Sequence, residues 1–191
     1  MAGGAGMGTR PAGRRAPDRR GQRWNVAVDT SKIKQLREET GAPVMDCKRA
    51  LDESGGSLEQ ARTWLRNRGA AVAEKKAGRV ASQGLVESYI HGGGRIGVIV
   101  EVNCETDFVA RSDDFKKLAH DIAMQIAATD PKYIGTEENI PDDLPPDEVP
   151  LLKQPFIRDP GQSIQGIVHE AVGKLNENIV VRRFSRFELG A

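Results

Sequence analysis

Between residues 30 and 69, apolar side chains recur at helical spacing in three short runs, each bounded by residues that start or stop helices. Thr30 or Ser31 can cap a first helix carrying Ile33 and Leu36, and Gly41 can end it. Pro43 suits the first position of a second helix, whose Val44, Met45, Cys47, Ala50 and Leu51 are expected to line a buried face until Gly55 and Gly56 break it. Ser57 with Gln60 three residues later is a capping-box pattern. It opens a third helix with Leu58, Ala61, Trp64 and Leu65 inward and Gly69 as its stop. The stretch "AAVAEKKAGRVASQG", residues 70–84, is small and basic without a sustained apolar stripe, and is expected to be a linker.

The period then changes. Leu85 to His91 and Ile96 to Asn103 are rich in β-branched residues and joined by "GGGR", which predicts a hairpin. After a corner at Thr106 and Asp107, the residues Phe115, Leu118, Ala119, Ile122, Ile126 and Ala127 recur at spacings of three and four. They predict an amphipathic helix capped by Ser112 or Asp113. Six of the ten prolines fall between Pro141 and Pro160, so that stretch reads as an extended connection. A second long helix follows with Ile164, Ile167, Val168, Ala171, Val172 and Leu175 on one face, and "NENIVVRRFSRFEL" closes the chain with a turn and a third antiparallel strand. The expected fold is α+β: a three-helix module over 30–69, a linker over 70–84, and over 85–191 a small antiparallel sheet covered by helices.

Charge divides the chain unevenly. The first 25 residues hold six arginines against one acid, Asp18, so the overall +1 leaves 22 basic and 26 acidic side chains in the remainder, a net −4. A net acidic body is a poor phosphate-backbone binder, which makes nucleic acid an unlikely partner and a protein the better one. The Gly- and Arg-rich leader, residues 1–29, has no apolar periodicity and is expected to be a flexible tail or an over-extended start, with initiation near Val26 or Val28. No apolar run approaches the roughly 20 residues that span a bilayer, so no membrane contact is expected. The protein is placed in the cytoplasm, or in an organellar matrix or stroma if the leader is a transit peptide. The only cysteines, Cys47 and Cys104, fit neither a disulfide framework nor a zinc site.

Candidate chemistry is sparse. "HGGGR" could cradle a phosphate or an oxyanion, but three glycines between two strands are what a tight turn needs, and no Walker or GxSxG pattern accompanies them. His91, His120 and His169 lie on separate elements without ligand spacing. Cys104 has no His and acid near it in sequence to activate it. Two segments remain. In "TDFVAR", Thr106 or Asp107 can cap a helix while Phe108 packs back as a hydrophobic staple; alternatively Phe108 is an exposed aromatic anchor beside a carboxylate, the composition of an interface hot spot. In "TGAPVMDCKRAL", Arg37, Lys48 and Arg49 form either a solvated rim or a docking surface for an acidic partner.

At these residues the sequence resembles the elongation factor Ts family, guanine-nucleotide exchange factors of translation. "LREETGAPVMDCKRAL" is similar to its N-terminal signature, "VEVNCETDFVAR" to its second and most specific one, and "QPFIRD" with "NENIVVRRFSRFELG" to its C-terminal end, together spanning about residues 30–191. The resemblance implies a module like the ubiquitin-associated domain, a flexible linker and a core that binds the GTPase elongation factor Tu. It further implies that Phe108 inserts into the GTPase domain and disturbs the magnesium region. Asp107 would sit at the end of a Tu helix, with Thr106 and Val109 completing the motif. Arg37, Met45 and Lys48 would contact Tu near its nucleotide phosphates, and Ile96 and Gly97 match a contact pair by analogy with the second core repeat of longer members.

The chain departs from that pattern in three ways. The Pro-rich "IPDDLPPDEVPLLK" stands where many relatives carry a helical coiled-coil arm, and there is one core repeat, as in short members completed by dimerisation. Val44 and Pro43 replace a usual Met and Gly in the docking turn. The expected function is exchange of GDP on elongation factor Tu, the alternative being a non-exchanging Tu-binding scaffold or holdase. A homodimer is expected, and no catalytic residue, metal, cofactor or direct nucleotide binding.

Overall fold

The computed structural model describes residues 29–135, 140 and 143–191, so the leader expected over 1–29 lies outside the described residues except for Asp29. Three helices come first: α1 (Thr30–Thr40), α2 (Val44–Glu53) and α3 (Leu58–Lys76). The cap of α1 is Asp29, one residue before the expected pair, whose carboxylate accepts from the Ser31 N–H at 2.9 Å. Gly41 ends α1 in the left-handed region at φ 66°, which a glycine enters without a Cβ penalty. Leu36, Cys47, Ala50, Leu51 and Ala61 form the small core of this unit. Met45 does not join them and is 66% exposed; Val44 is exposed as well. Met45 precedes Cys47 by two residues, about 200° around the helix, so the two cannot share a face.

The third helix does not stop at Gly69. It continues to Lys76, so the first half of the expected linker is helical. The glycine serves a crossing instead: a Cβ on Gly69 would stand 2.9 Å from the backbone oxygen of His169, and one on Gly173 would stand 3.1 Å from the Gly69 Cα. Two bare positions facing each other let α3 and α6 (Ile164–Leu175) approach backbone to backbone. Along α3, Ala61 belongs to the small core and Ala73 to the larger one.

The larger core lies under a three-stranded antiparallel sheet of order β1–β2–β5, with β1 at Gln83–His91, β2 at Ile96–Cys104 and β5 at Val180–Glu188. Val98, Val100, Val102 and Cys104 of the central strand point inward onto α5 (Asp113–Thr129), through Phe115, Leu118, Ala119, Ile122 and Ile126. Ile164, Val168 and Val172 of α6 close that core from the other side. The architecture is the expected α+β, a helical N-terminal part followed by a small sheet covered by helices.

From Leu151 on, the Pro-rich stretch is more ordered than an extended connection. Leu151–Lys153 form a 3-10 turn, and β3 (Pro155–Phe156) pairs with β4 (Asp159–Ser163). A buried amide holds this hairpin: Gln125 of α5 donates to Gln154 Oε1 at 3.0 Å and to the Pro155 carbonyl at 3.2 Å, and accepts from the Ile157 N–H at 2.9 Å. Buried amides must be paired to be tolerated, so the segment is fixed wherever Gln125 is.

The crossing makes a prediction whose sign separates it from ordinary helix propensity. Gly69→Ala in an open helix gains about 1 kcal/mol, whereas forcing a methyl against a backbone oxygen costs about 1–3 kcal/mol. The urea midpoint of Gly69→Ala is expected to fall; a raised midpoint would show that α3 and α6 have room to spare.

Candidate partner-binding site

The corner after β2 is built from its buried residues outward. Cys104 is buried at the strand end, and its thiol donates to the Thr106 carbonyl at 3.1 Å. Burial pushes that thiol up to about 11, so it stays protonated and is no nucleophile at neutral pH. Thr106 has extended dihedrals and caps the single-turn helix α4 (Asp107–Ala110), its hydroxyl accepting from the Val109 N–H at 3.3 Å. Val109 and Ala110 face the core. With that side of one turn pinned inward, the preceding positions are turned outward.

Phe108 is consequently 83% exposed. A hydrophobic staple would bury it, so that reading of the corner does not hold. Asp107 beside it is also exposed and pairs with Arg111 one turn on, a surface pair of the kind that contributes about 0–1 kcal/mol. Ser112 then caps α5, accepting from the Phe115 N–H at 3.3 Å while its hydroxyl donates to the Val109 carbonyl at 2.7 Å. Phe115 itself is fully buried. Of two aromatics seven positions apart, one anchors the corner and the other is displayed by it.

A third support comes from the far end of the chain. The turn after α6 places Glu177 against the corner: its Oε2 accepts from the Glu105 N–H at 3.1 Å and the Thr106 N–H at 3.0 Å, and its Oε1 accepts from the Thr106 hydroxyl at 2.6 Å. Glu105 returns the contact, its Oε1 accepting from the Asn178 N–H at 2.7 Å. That backbone bond, aided by Arg79 and Lys76, holds the Glu105 carboxyl below its ordinary range. Asn178 also donates to the carbonyls of Arg79 at 2.8 Å and Ala77 at 3.4 Å, just beyond α3. Sequence reasoning read "NEN" only as a turn, and no local pattern marks Glu177, because its partners are 71 and more positions away.

The other site residues fall into separate groups. Arg37, Met45 and Lys48 are exposed around the turn between α1 and α2, with Met45 and Lys48 one helical step apart on the same face. Ile96 and Gly97 lie at the opposite end of β2 from the corner, roughly 25 Å from Cys104 at the usual strand rise. They are not brought together with Thr106, Asp107, Phe108 and Val109. The Ile96 side chain packs on the core edge, while Gly97 lies on the outer face of the sheet between Ile90 and Phe187. That outer face carries a feature the alternation of the strands did not suggest: Val86, Ile90, Ile99 and Phe187 are all exposed on it.

The corner thus presents an aromatic anchor and a carboxylate on a rigid base, a geometry suited to binding. Among the described residues no group of three or more His, Cys, Asp or Glu is placed to hold a metal ion, and no helix is long and apolar enough to cross a membrane.

Comparison with known proteins bears on the same segments. The family model described as Elongation factor TS matches residues 67–146, which contain the hairpin, the corner and α5. Elongation factor Ts of Desulforamulus reducens is 46% identical, the alignment covering 85% of this chain and 89% of that protein. The protein of the same name from Heliobacterium modesticaldum is 48% identical, with 85% and 90% covered. That from Coprothermobacter proteolyticus is 46% identical over 86% of this chain and the whole of its own length.

An anchor that is exposed and held by its neighbours contributes little to folding. Phe108→Ala is expected to change unfolding stability by no more than about 0.5 kcal/mol, read from the urea midpoint. A loss of several times that would mean the ring packs against the protein after all.

Proposed function

Because the chain belongs to the elongation factor Ts family of translation elongation factors, we propose that it is the guanine-nucleotide exchange factor of elongation factor Tu, binding Tu with GDP and promoting GDP release. The observation that carries this reading is Phe108, 83% exposed on a corner fixed by β2, α5 and Glu177. A large apolar ring kept in water by rigid surroundings is costly unless a partner covers it.

The mechanism follows from linkage. A factor that binds Tu in a geometry incompatible with tight nucleotide binding weakens GDP by the same factor that GDP weakens it, and no covalent bond changes. Phe108 is the wedge that enters the GTPase domain. Displacing the region that holds magnesium exposes the phosphate charge which that ion neutralises in GTPases of this kind. Asp107 meets the positive end of a partner helix, a contact of about 0.3–1 kcal/mol. Arg37, Met45 and Lys48 form a second contact on the three-helix module. Thr106 and Val109 support the wedge from beneath.

A second copy of the chain is the proposed occupant of the outer sheet face. Each of the three strands places exposed apolar side chains there, Val86 and Ile90 on β1, Ile99 on β2 and Phe187 on β5, interspersed with Ser88, Ser185 and the Glu101–Arg183 pair, and a one-layer sheet with such a face is suited to association. Gly97 lies in this face, so pairing of two copies and a Tu contact at Ile96 and Gly97 exclude one another. The four exposed apolar side chains on this face favour the pairing.

Stopped-flow release of labelled GDP from Tu tests the main proposal. Release is expected to accelerate and saturate as the chain is titrated; a stable complex with unchanged release would make the protein a scaffold or holdase. For the assembly, light scattering at micromolar concentration is expected to give twice the chain mass, and Phe187→Glu to reduce it to one. A wild-type protein that stays monomeric throughout that range contradicts the pairing.

A further inference from the structure

The turn between α6 and β5 is shaped by Asn176, which ends α6 in the left-handed region at φ 57°, a conformation that Asn tolerates better than most residues. The reversal turns Glu177 inward, and all its hydrogen bonding goes to residues 105 and 106, two or three positions before the exposed ring. It accepts two backbone N–H groups and one hydroxyl. Carboxylates bonded in this way form some of the strongest and most directional polar contacts available. The same turn grips the end of α3: the Lys76 ammonium donates to the Asn176 carbonyl at 2.8 Å, and Asn178 binds the carbonyls of residues 77 and 79.

The donors that Glu177 satisfies lie at the edge of the structure, with Thr106 itself exposed. If the carboxylate were removed they could bond to water, so the fold does not depend on it as it would on a buried pair. What would be lost is the fixed angle at which the chain leaves β2 and enters α4. We infer that Glu177 is a positioning residue for nucleotide exchange: it holds Thr106, and through it the direction of Phe108, relative to α3 and the helical module that α3 carries. This rests on the wedge role proposed for Phe108.

The test uses the full chain and stopped-flow GDP release from Tu, with amide hydrogen exchange at Glu105 and Thr106 as a second readout. Glu177→Ala is expected to remain folded and to lose protection at those two amides. Its maximal release rate should fall by about tenfold or more, the scale of a small misplacement of a reacting group, with a smaller change in the half-saturating concentration. Glu177→Gln can accept both N–H groups on its oxygen and donate to the Thr106 hydroxyl, so it should recover most of the rate. In a Phe108→Ala background, Glu177→Ala should slow release no further. Should the Ala variant not fold, Glu177→Asp retains the charge but falls a methylene short and should show the same loss. A Glu177→Ala or Asp variant that releases GDP at the wild-type rate, or whose loss adds in full to that of Phe108→Ala, overturns the inference. Wild-type release by Phe108→Ala alone overturns the wedge instead, and protection of the two amides then still decides whether Glu177 holds the corner.

Discussion

Two glutamates exchange backbone hydrogen bonds between turns more than 70 positions apart in sequence, Glu177 with the corner at 105 and 106, and Glu105 with the turn at Asn178. The display of Phe108 depends on this reciprocal lock. A four-residue helix cannot hold its own direction, since isolated helices much longer than that are marginal in water. α4 is fixed by what surrounds it: β2 at the centre of the sheet before it, α5 and the Ser112 bond to Val109 after it, and the turn after α6, itself held by Asn176 and its contacts with α3, packed against it.

The same contacts join the two cores. α3 is one helix of 19 residues, about 28 Å long at the usual rise. Its first half packs into the helical module and its second half against α6 through Gly69 and Gly173. Where the sequence suggested a loose tether, a rod clamped at both ends holds the turn that carries Met45 and Lys48 at a set distance from the corner that carries Phe108. In the proposed exchange reaction this rigidity matters, because a wedge acts only if its base does not yield when the partner pushes back.

What could be read from the chain beforehand was local. The caps at Ser57, Thr106 and Ser112, the glycine stop at Gly41, the hairpin around "GGGR" and the stripes of α5 and α6 are each set by residues within a few positions of one another. The misreadings share a different cause. Gly69 reads as a stop because a glycine in a helix signals one unless another backbone lies against it, and His169 is a hundred positions away. Met45 reads as a core residue because a short apolar run does not say which of its members faces inward until Cys47, Ala50 and Leu51 fix the face. Glu177 and the apolar outer face of the sheet depend on which segments meet in space. The resemblance to a family directs attention to Phe108, and its exposure rules out the staple.

The most direct test of the wedge is the rate of GDP release from elongation factor Tu measured over a full titration with Phe108→Ala, alongside its affinity for nucleotide-free Tu. If the ring displaces the nucleotide, the folded variant should release GDP far more slowly even at saturation, and its affinity should fall by roughly 2 kcal/mol, about 30-fold. A folded variant that reaches the wild-type release rate at saturation would contradict the claim that this ring drives exchange.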